Sequence, residues 1–301
     1  MPAAPVAIEV ALNGPWGRAR VAHLPIEPVE LIAQGIACAE AGAAVIHLHA
    51  YDPATGRQND DWRIYARIIE GIRARVDAIV YPTIPLAGSG LSEGEHGARF
   101  AHLEELGRRG LLDWAVVDPG SVNFLDAASD ATEGDGTGGG TGGGGTPFLY
   151  RNTVEEVRAA LAIAASHRLR PSYAIYEPGF ARAGAVLARE AGVRTPLYRL
   201  MFSERFAWGF PPRAWALDAY RALLAEVAPG AAWMVAGLGV DIAPLIPEAV
   251  AAGGHVRVGI EDAPWESRRT NLDWVRLAVR AVEKAGGAPM TAAQLSSSLS
   301  Q

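Results

Sequence analysis

The sequence predicts a (β/α)8 barrel, and three observations carry that prediction. Short apolar runs alternate with longer amphipathic segments from end to end, eight such pairs can be counted, and the runs lack the apolar/polar alternation of a sheet with one wet face. Strands covered on both faces read as nearly continuous apolar runs, and strands joined through helices must lie parallel. A doubly wound open sheet is the competing arrangement. It usually places a Gly-rich dinucleotide turn after its first strand, and Asn13-Gly-Pro-Trp16 does not have that pattern.

The strands are expected near 6–12, 43–49, 78–84, 113–118, 172–177, 197–202, 232–237 and 255–261, and the helices near 27–41, 61–76, 93–109, 153–168, 181–191, 212–227, 241–252 and 270–285. Pro28 falls in the first turn of the first helix, where its missing N–H is not needed, and Gly42 and Gly192 follow helix ends. Thr153 with Glu156 three residues on forms a capping box for the fourth helix. One barrel domain is expected over 1–301, interrupted at 130–146 by a Gly-rich insertion that lacks the Gly-Lys-Ser/Thr ending of a phosphate loop. Its composition predicts a flexible segment whose deletion leaves thermal stability nearly unchanged.

Composition narrows the chemistry. The chain of 301 residues is 50% hydrophobic and 20% charged, a soluble globular balance at a length that needs no structural metal or disulfide. With 27 basic against 33 acidic residues and no basic run, nucleic acid is excluded as a partner. No stretch of about 18 apolar residues exists and the start lacks a secretory pattern, so a cytoplasmic protein without membrane contact is expected. The single cysteine, Cys38, lies in an alanine-rich helix and reads as a core residue rather than a nucleophile. The single lysine, Lys284, ends the last long helix beside Ala-Gly-Gly, which disfavours imine chemistry.

In a barrel the active site lies at the C-terminal ends of the strands. His47 and His49, two residues apart on the second strand, share a face that the apolar Ile46 and Leu48 leave to the interior. Two imidazoles there are half of a zinc site. On the eighth run, Arg257, Gly259 and Glu261 share a face, and barrel closure brings Glu261 within reach of a metal held by the histidines. Two His and one carboxylate leave an open position, as in catalytic sites. Asp262 follows as a candidate base, with Arg257 as its partner or as a carboxylate anchor. Glu177, ending the fifth run, and Glu9, inside the first, are weaker candidates for contact with the substrate or for support of the site. His23, His96, His102 and His167 read as solvated. The aromatic cluster from Phe202 to Trp215 suits either an acyl-binding wall or a subunit interface.

Three segments carry a family resemblance. Ala41-Gly-Ala-Ala-Val-Ile-His-Leu-His-Ala-Tyr-Asp-Pro-Ala-Thr-Gly56, Asp118-Pro-Gly-Ser-Val-Asn-Phe124 and Gly253-Gly-His-Val-Arg-Val-Gly-Ile-Glu-Asp262 resemble, in order, the signatures of the β-keto acid cleavage enzymes. The resemblance implies one zinc ion per chain, condensation of a β-keto acid with acetyl-CoA to acetoacetate and a CoA ester, and a homo-oligomer, in that family a tetramer. By position it makes His47, His49 and Glu261 look like zinc ligands, Asp262 like the base and Arg257 like its partner. Thr83, Ser121 and Asn123 fall in regions of substrate contact. Two departures stand out: Tyr51 replaces the Arg of the family's His-x-His-x-Arg-Asp, and Trp16 stands where an amine-binding Glu is found. Both suggest a neutral or apolar substrate tail. A metal-dependent hydrolase on the same barrel and a metal-binding homologue without turnover are the competing readings.

Overall fold

The computed structural model describes residues 3–85, 98–127 and 147–300. The (β/α)8 barrel is present. Its strands are β1 (Ile8–Ala11), β2 (Val45–Leu48), β3 (Ile79–Pro82), β4 (Trp114–Val117), β5 (Arg170–Ile175), β6 (Leu197–Phe202), β7 (Trp233–Gly237) and β8 (His255–Val258). All pairings are parallel, in the order β3-β2-β1-β8-β7-β6-β5-β4, and β3 and β4 lie beside each other across the seam that nearly closes the barrel. Apart from Trp233, every residue of the eight strands is buried, which is why the runs carry no polar alternation.

Around them pack α1 (Pro28–Glu40), α2 (Trp62–Arg73), α3 (Ala101–Arg108), α4 (Val154–Ser166), α5 (Pro178–Ala191), α6 (Ala214–Val227), α7 (Ile246–Ala251), α8 (Asn271–Lys284) and α9 (Ala292–Ser298). The capping box at Thr153 and Glu156 is formed, and Gly192 ends α5 in the left-handed conformation at φ 62°. Cys38 is fully buried on the inner face of α1, and burial pushes its thiol up to about 12. No helix among the described residues is long and apolar enough to cross a membrane.

Several boundaries differ from expectation. The first run divides into Ala4–Val6, which pairs with Gly287–Pro289, and β1, because the Ala7 N–H leaves the ladder to bond His255 Nδ1 at 3.2 Å. The seventh helix is shorter than 241–252: Pro244 and Pro247 are tolerated only in first turns, so a 3-10 turn (Ala243–Leu245) precedes α7. The third begins with a 3-10 turn at Ala98, and its expected start at 93–97 lies outside the described residues, as do His96 and the insertion at 130–146. The final helix, α9, has no counterpart among the expected elements.

The barrel interior is polar in its upper half. Tyr81 Oη (β3) donates to Glu9 (β1) at 2.6 Å and contacts Ser172 (β5) at 3.4 Å, while Arg257 (β8) donates to Glu9 at 2.9 Å. Glu9 is therefore a fully buried link between strands. These inward groups form the floor under the C-terminal ends of the strands.

Candidate active site

β2 and the residue that follows its end deliver His47 and His49 to the cavity. His47 Nε2 lies 3.5 Å from Glu261 Oε2, His49 Nε2 lies 3.5 Å from Glu261 Oε1, and the candidate ligand atoms of the three residues fall within 4.8 Å of one another. Among the described residues this is the group that could hold a metal ion. Glu261 comes from the turn after β8, and its seat exists because Gly14 has no side chain. A Cβ on Gly14 would stand 2.5 Å from Glu261 Cγ, and its φ of +91° further restricts the position to glycine. Trp16 Nε1 closes the seat by donating to the Glu261 carbonyl at 2.8 Å.

The His49 ring is oriented by a hydrogen bond, whereas His47 Nδ1 is buried without a partner among the described residues. His49 Nδ1 contacts Gln58 Oε1 at 2.9 Å, and the Gln58 amide is itself fixed by donating to Asp60 at 2.9 Å. The Nδ1–H therefore points to Gln58 and the Nε2 lone pair turns toward Glu261 and His47. Asn13 clamps the His49 backbone from both sides, accepting from its N–H at 2.8 Å and donating to its carbonyl at 2.9 Å. His49 Nε2 and Glu261 Oε2 are buried without a hydrogen-bond partner. Buried polar atoms are rarely left so, and two imidazoles with one carboxylate suit a divalent cation such as zinc. The residues present fit a metal.

Beside them, Arg257 is shared among three carboxylates. Its Nε and Nη2 donate to Asp262 at 2.8 and 2.9 Å, its Nη1 to Glu9 at 2.9 Å, and its Nη2 lies 3.1 Å from Glu261. Burial disfavours the charged Glu261, but Arg257 and the two histidines outweigh it and hold that carboxyl well below the usual carboxylate range. At Asp262 burial wins over Arg257, helped by the nearby Glu261 and Glu9, and the carboxyl is raised to about 6. Burial also drives the His47 imidazole well below its ordinary value.

The cavity over this floor is narrow, about 60 Å³ among the described residues, room for roughly two waters. Trp16, Thr83, Phe124, Tyr150 and Tyr176 line its sides, Phe206 and Trp208 pack behind Phe124, and Arg199 and Asp118 lie across from the histidines. A larger surface cleft of about 580 Å³ lies at the opposite end, by the N-terminal ends of β3 and β4. Of its charged residues, Arg73, Arg75, Asp77 and Asp113, the first and last pair with each other, and the strand-end chemistry is elsewhere.

The other candidates divide. Thr83 and Trp16 line the cavity. Tyr51 is buried outside the lining and its hydroxyl donates to the Gly14 carbonyl, so it supports the Glu261 seat from behind. Ser121 and Asn123 are exposed, Ser121 exchanging hydrogen bonds with the Asn152 backbone at 2.8 and 3.0 Å. Glu177 Oε1 accepts from the Gly209 N–H at 3.1 Å rather than facing the cavity. His102 is a correction: instead of being solvated it is buried against Tyr65 and bonds the Thr83 carbonyl at 2.8 Å, since α3 turns that face inward. His167 is half-buried on Glu104, and His23 is exposed. Gln58, Asn13, Asp118 and Arg199 escaped the sequence reading.

A parallel barrel whose strand ends gather two imidazoles, a carboxylate and an arginine-held carboxylate defines a barrel enzyme with a metal-competent site. The chain belongs to the β-keto acid cleavage enzyme family, whose model matches residues 5–300. It is 26% identical to the 3-dehydrocarnitine:acetyl-CoA trimethylamine transferase of Rhizobium meliloti over 88% of this chain and 85% of that protein. It is likewise 26% identical to the 3-oxoadipate:acetyl-CoA acetyltransferase of Cupriavidus necator, over 86% and 80%. It is also 26% identical to the 3-keto-5-aminohexanoate cleavage enzyme of Fusobacterium nucleatum, over 88% and 87%. Among solved structures, apo ObcA superposes with a TM-score of 0.69 at 18% identity; 92% of this chain covers 65% of that one, a likeness of fold.

Proposed function

We propose that the protein is a zinc-dependent β-keto acid cleavage enzyme that uses acetyl-CoA as acceptor and takes a substrate with a neutral or apolar tail. The acetyl group passes from sulfur to the substrate's α-carbon, the bond between that carbon and the keto carbon breaks, and the released acyl group joins the CoA sulfur. Acetoacetate and a new CoA ester result, and atoms balance without oxidant or reductant. The observation that carries the reading is the convergence of His47, His49 and Glu261 beside an Asp262 held by Arg257.

His47, His49 and Glu261 would hold the metal, which when bound polarises the keto oxygen as a Lewis acid. Asp262, positioned by two hydrogen bonds from Arg257, accepts the proton from the α-carbon. Arg257 spreads its charge over Asp262, Glu9 and Glu261, so the base stays put when its charge changes. Trp16 in the lining gives an ammonium tail no counter-charge, whereas the aromatic sides suit an apolar one. The absence of a usable Lys or Cys agrees with a route that needs no side-chain nucleophile.

The test is incubation of the zinc-loaded protein with acetyl-CoA and β-keto acids bearing alkyl, carboxylate or ammonium tails, with mass-spectrometric detection of the CoA ester. Acetoacetate and the ester of the alkyl-tailed acid should appear together. Ester formation only from the ammonium acid would overturn the tail assignment, and none from any acid would remove the activity.

A further inference from the structure

Two buried arginines beside the site, Arg257 and Arg199, are unequally matched. Every nitrogen of the Arg257 guanidinium faces a carboxylate oxygen at 2.8 to 2.9 Å. Arg199, on β6 directly across the barrel from β2, is just as deeply enclosed at 4% exposure and lines the same cavity as His47 and Glu261. Yet among the described residues its guanidinium makes one hydrogen bond, from Nη2 to the Ser172 carbonyl at 3.3 Å, and its carboxylate neighbour Asp118 stands off at 3.6 Å. Among the described residues its Nε is buried without a partner and its Nη1 bonds no oxygen. Asp118 is not free to move closer. Its Oδ2 accepts from Tyr150 Oη at 2.6 Å and its Oδ1 from the Ala174 N–H at 3.3 Å. A guanidinium removed from water and short of acceptors is unfavourable unless a ligand completes it.

We infer that Arg199 receives the carboxylate of the substrate, on the wall of the cavity that faces the two histidines. The inference rests on the reading of the substrate as a β-keto acid and adds the residue that recognises its acid end. Guanidinium and carboxylate match in geometry as well as charge, which a neutral or ammonium group does not. Charge balance then limits the rest of the molecule. The enclosed floor holds the carboxylates of Glu9, Asp118, Glu261 and Asp262 against Arg199 and Arg257, and a divalent cation at the three-residue cluster brings the sum to zero. One substrate carboxylate unbalances it by a single charge, a second by two in a space where charges interact strongly. Arg199 is thus a specificity-determining residue for monocarboxylic β-keto acids.

The experiment measures binding to the zinc-loaded protein by calorimetry, with acetoacetate and its methyl ester as probes that share the keto chain and differ in charge. Wild-type protein should bind acetoacetate about 10- to 100-fold more tightly than the ester, the range of a hydrogen-bonded charge. Arg199→Met should abolish the preference while leaving ester binding unchanged, and Arg199→Lys should keep part of it. Because Arg199→Met strands Asp118, the Asp118→Asn, Arg199→Met double variant repeats the measurement with the pair neutralised. Equal affinities in the wild-type protein, or a variant with native circular dichroism that weakens acid and ester alike, would overturn the inference, and the wild-type comparison decides even if no variant folds. Failure of the parent reading looks different: acetoacetate preference intact, with no CoA ester formed.

Discussion

Arg257 touches three carboxylates, and the division of labour around it can be tested residue by residue. Asp262→Asn removes the proposed base but no proposed ligand, so bound zinc should stay near normal while turnover falls about 10²- to 10⁴-fold. Metal analysis beside a rate measurement decides, and loss of the metal would make Asp262 a ligand. Gln58→Leu should act in the opposite sense: with the His49 ring no longer oriented, zinc affinity should drop about 10- to 100-fold in a chelator competition assay. A variant with unchanged affinity would show that ring orientation is set elsewhere. The two histidines were legible because a two-residue spacing on a strand fixes a common face, and Glu261 because barrel closure makes β8 the neighbour of β1. Gln58 and Asn13 were not, since each lies in a connection without periodicity and acquires its role only when the chain folds back over β2. Arg199 sits in a run that reads as plain strand, where one charge among apolar residues signals burial but not what it faces.

The loop that follows β1 illustrates how an element without regular structure governs a site formed by others. Gly14 leaves space for the Glu261 side chain, Tyr51 bonds the Gly14 carbonyl, and Trp16 bonds the Glu261 backbone carbonyl, so the loop fixes where Glu261 sits. Gly14→Ala should therefore weaken zinc binding by about 10- to 100-fold, the effect typical of disturbed ligand support, even where the chain remains folded. Equilibrium dialysis against zinc with circular dichroism as the folding control checks it; unaltered affinity in a folded variant would mean Glu261 tolerates displacement. The same loop explains why Tyr51 and Trp16, both read as shaping the substrate tail, part company: only Trp16 borders the cavity. Elements were most legible where periodicity was long, as in α2, α4 and α8, and least where proline restarts a helix before α7. The unexpected α9 did carry a signal in the capping box of Thr291 and Gln294, too short a segment to stand out by period.

On the scale of the whole molecule, one buried histidine links stability to pH. His255 begins β8, accepts the Ala7 N–H through Nδ1, and burial lowers it to about 4 from the ordinary 6.5. Between those values the unfolded chain binds the proton and the native one does not, so stability is complete above pH 6.5 and declines as pH falls toward 4. The loss amounts to about 3 kcal/mol at the acid end. Urea unfolding of the wild-type protein and of His255→Asn, whose amide oxygen can still accept from Ala7, should show this slope in the first and a shallower one in the second. Parallel pH profiles would assign the acid sensitivity to other groups. A different consequence follows from the thiol sealed within α1. With Cys38 fully buried and protonated at any working pH, the chain offers alkylating dyes no reactive sulfur of its own in the described fold. A cysteine introduced at Leu149, 53% exposed between the cavity-lining Phe148 and Tyr150, would take a single fluorophore and report by its emission each arrival of a ligand at the mouth of the barrel.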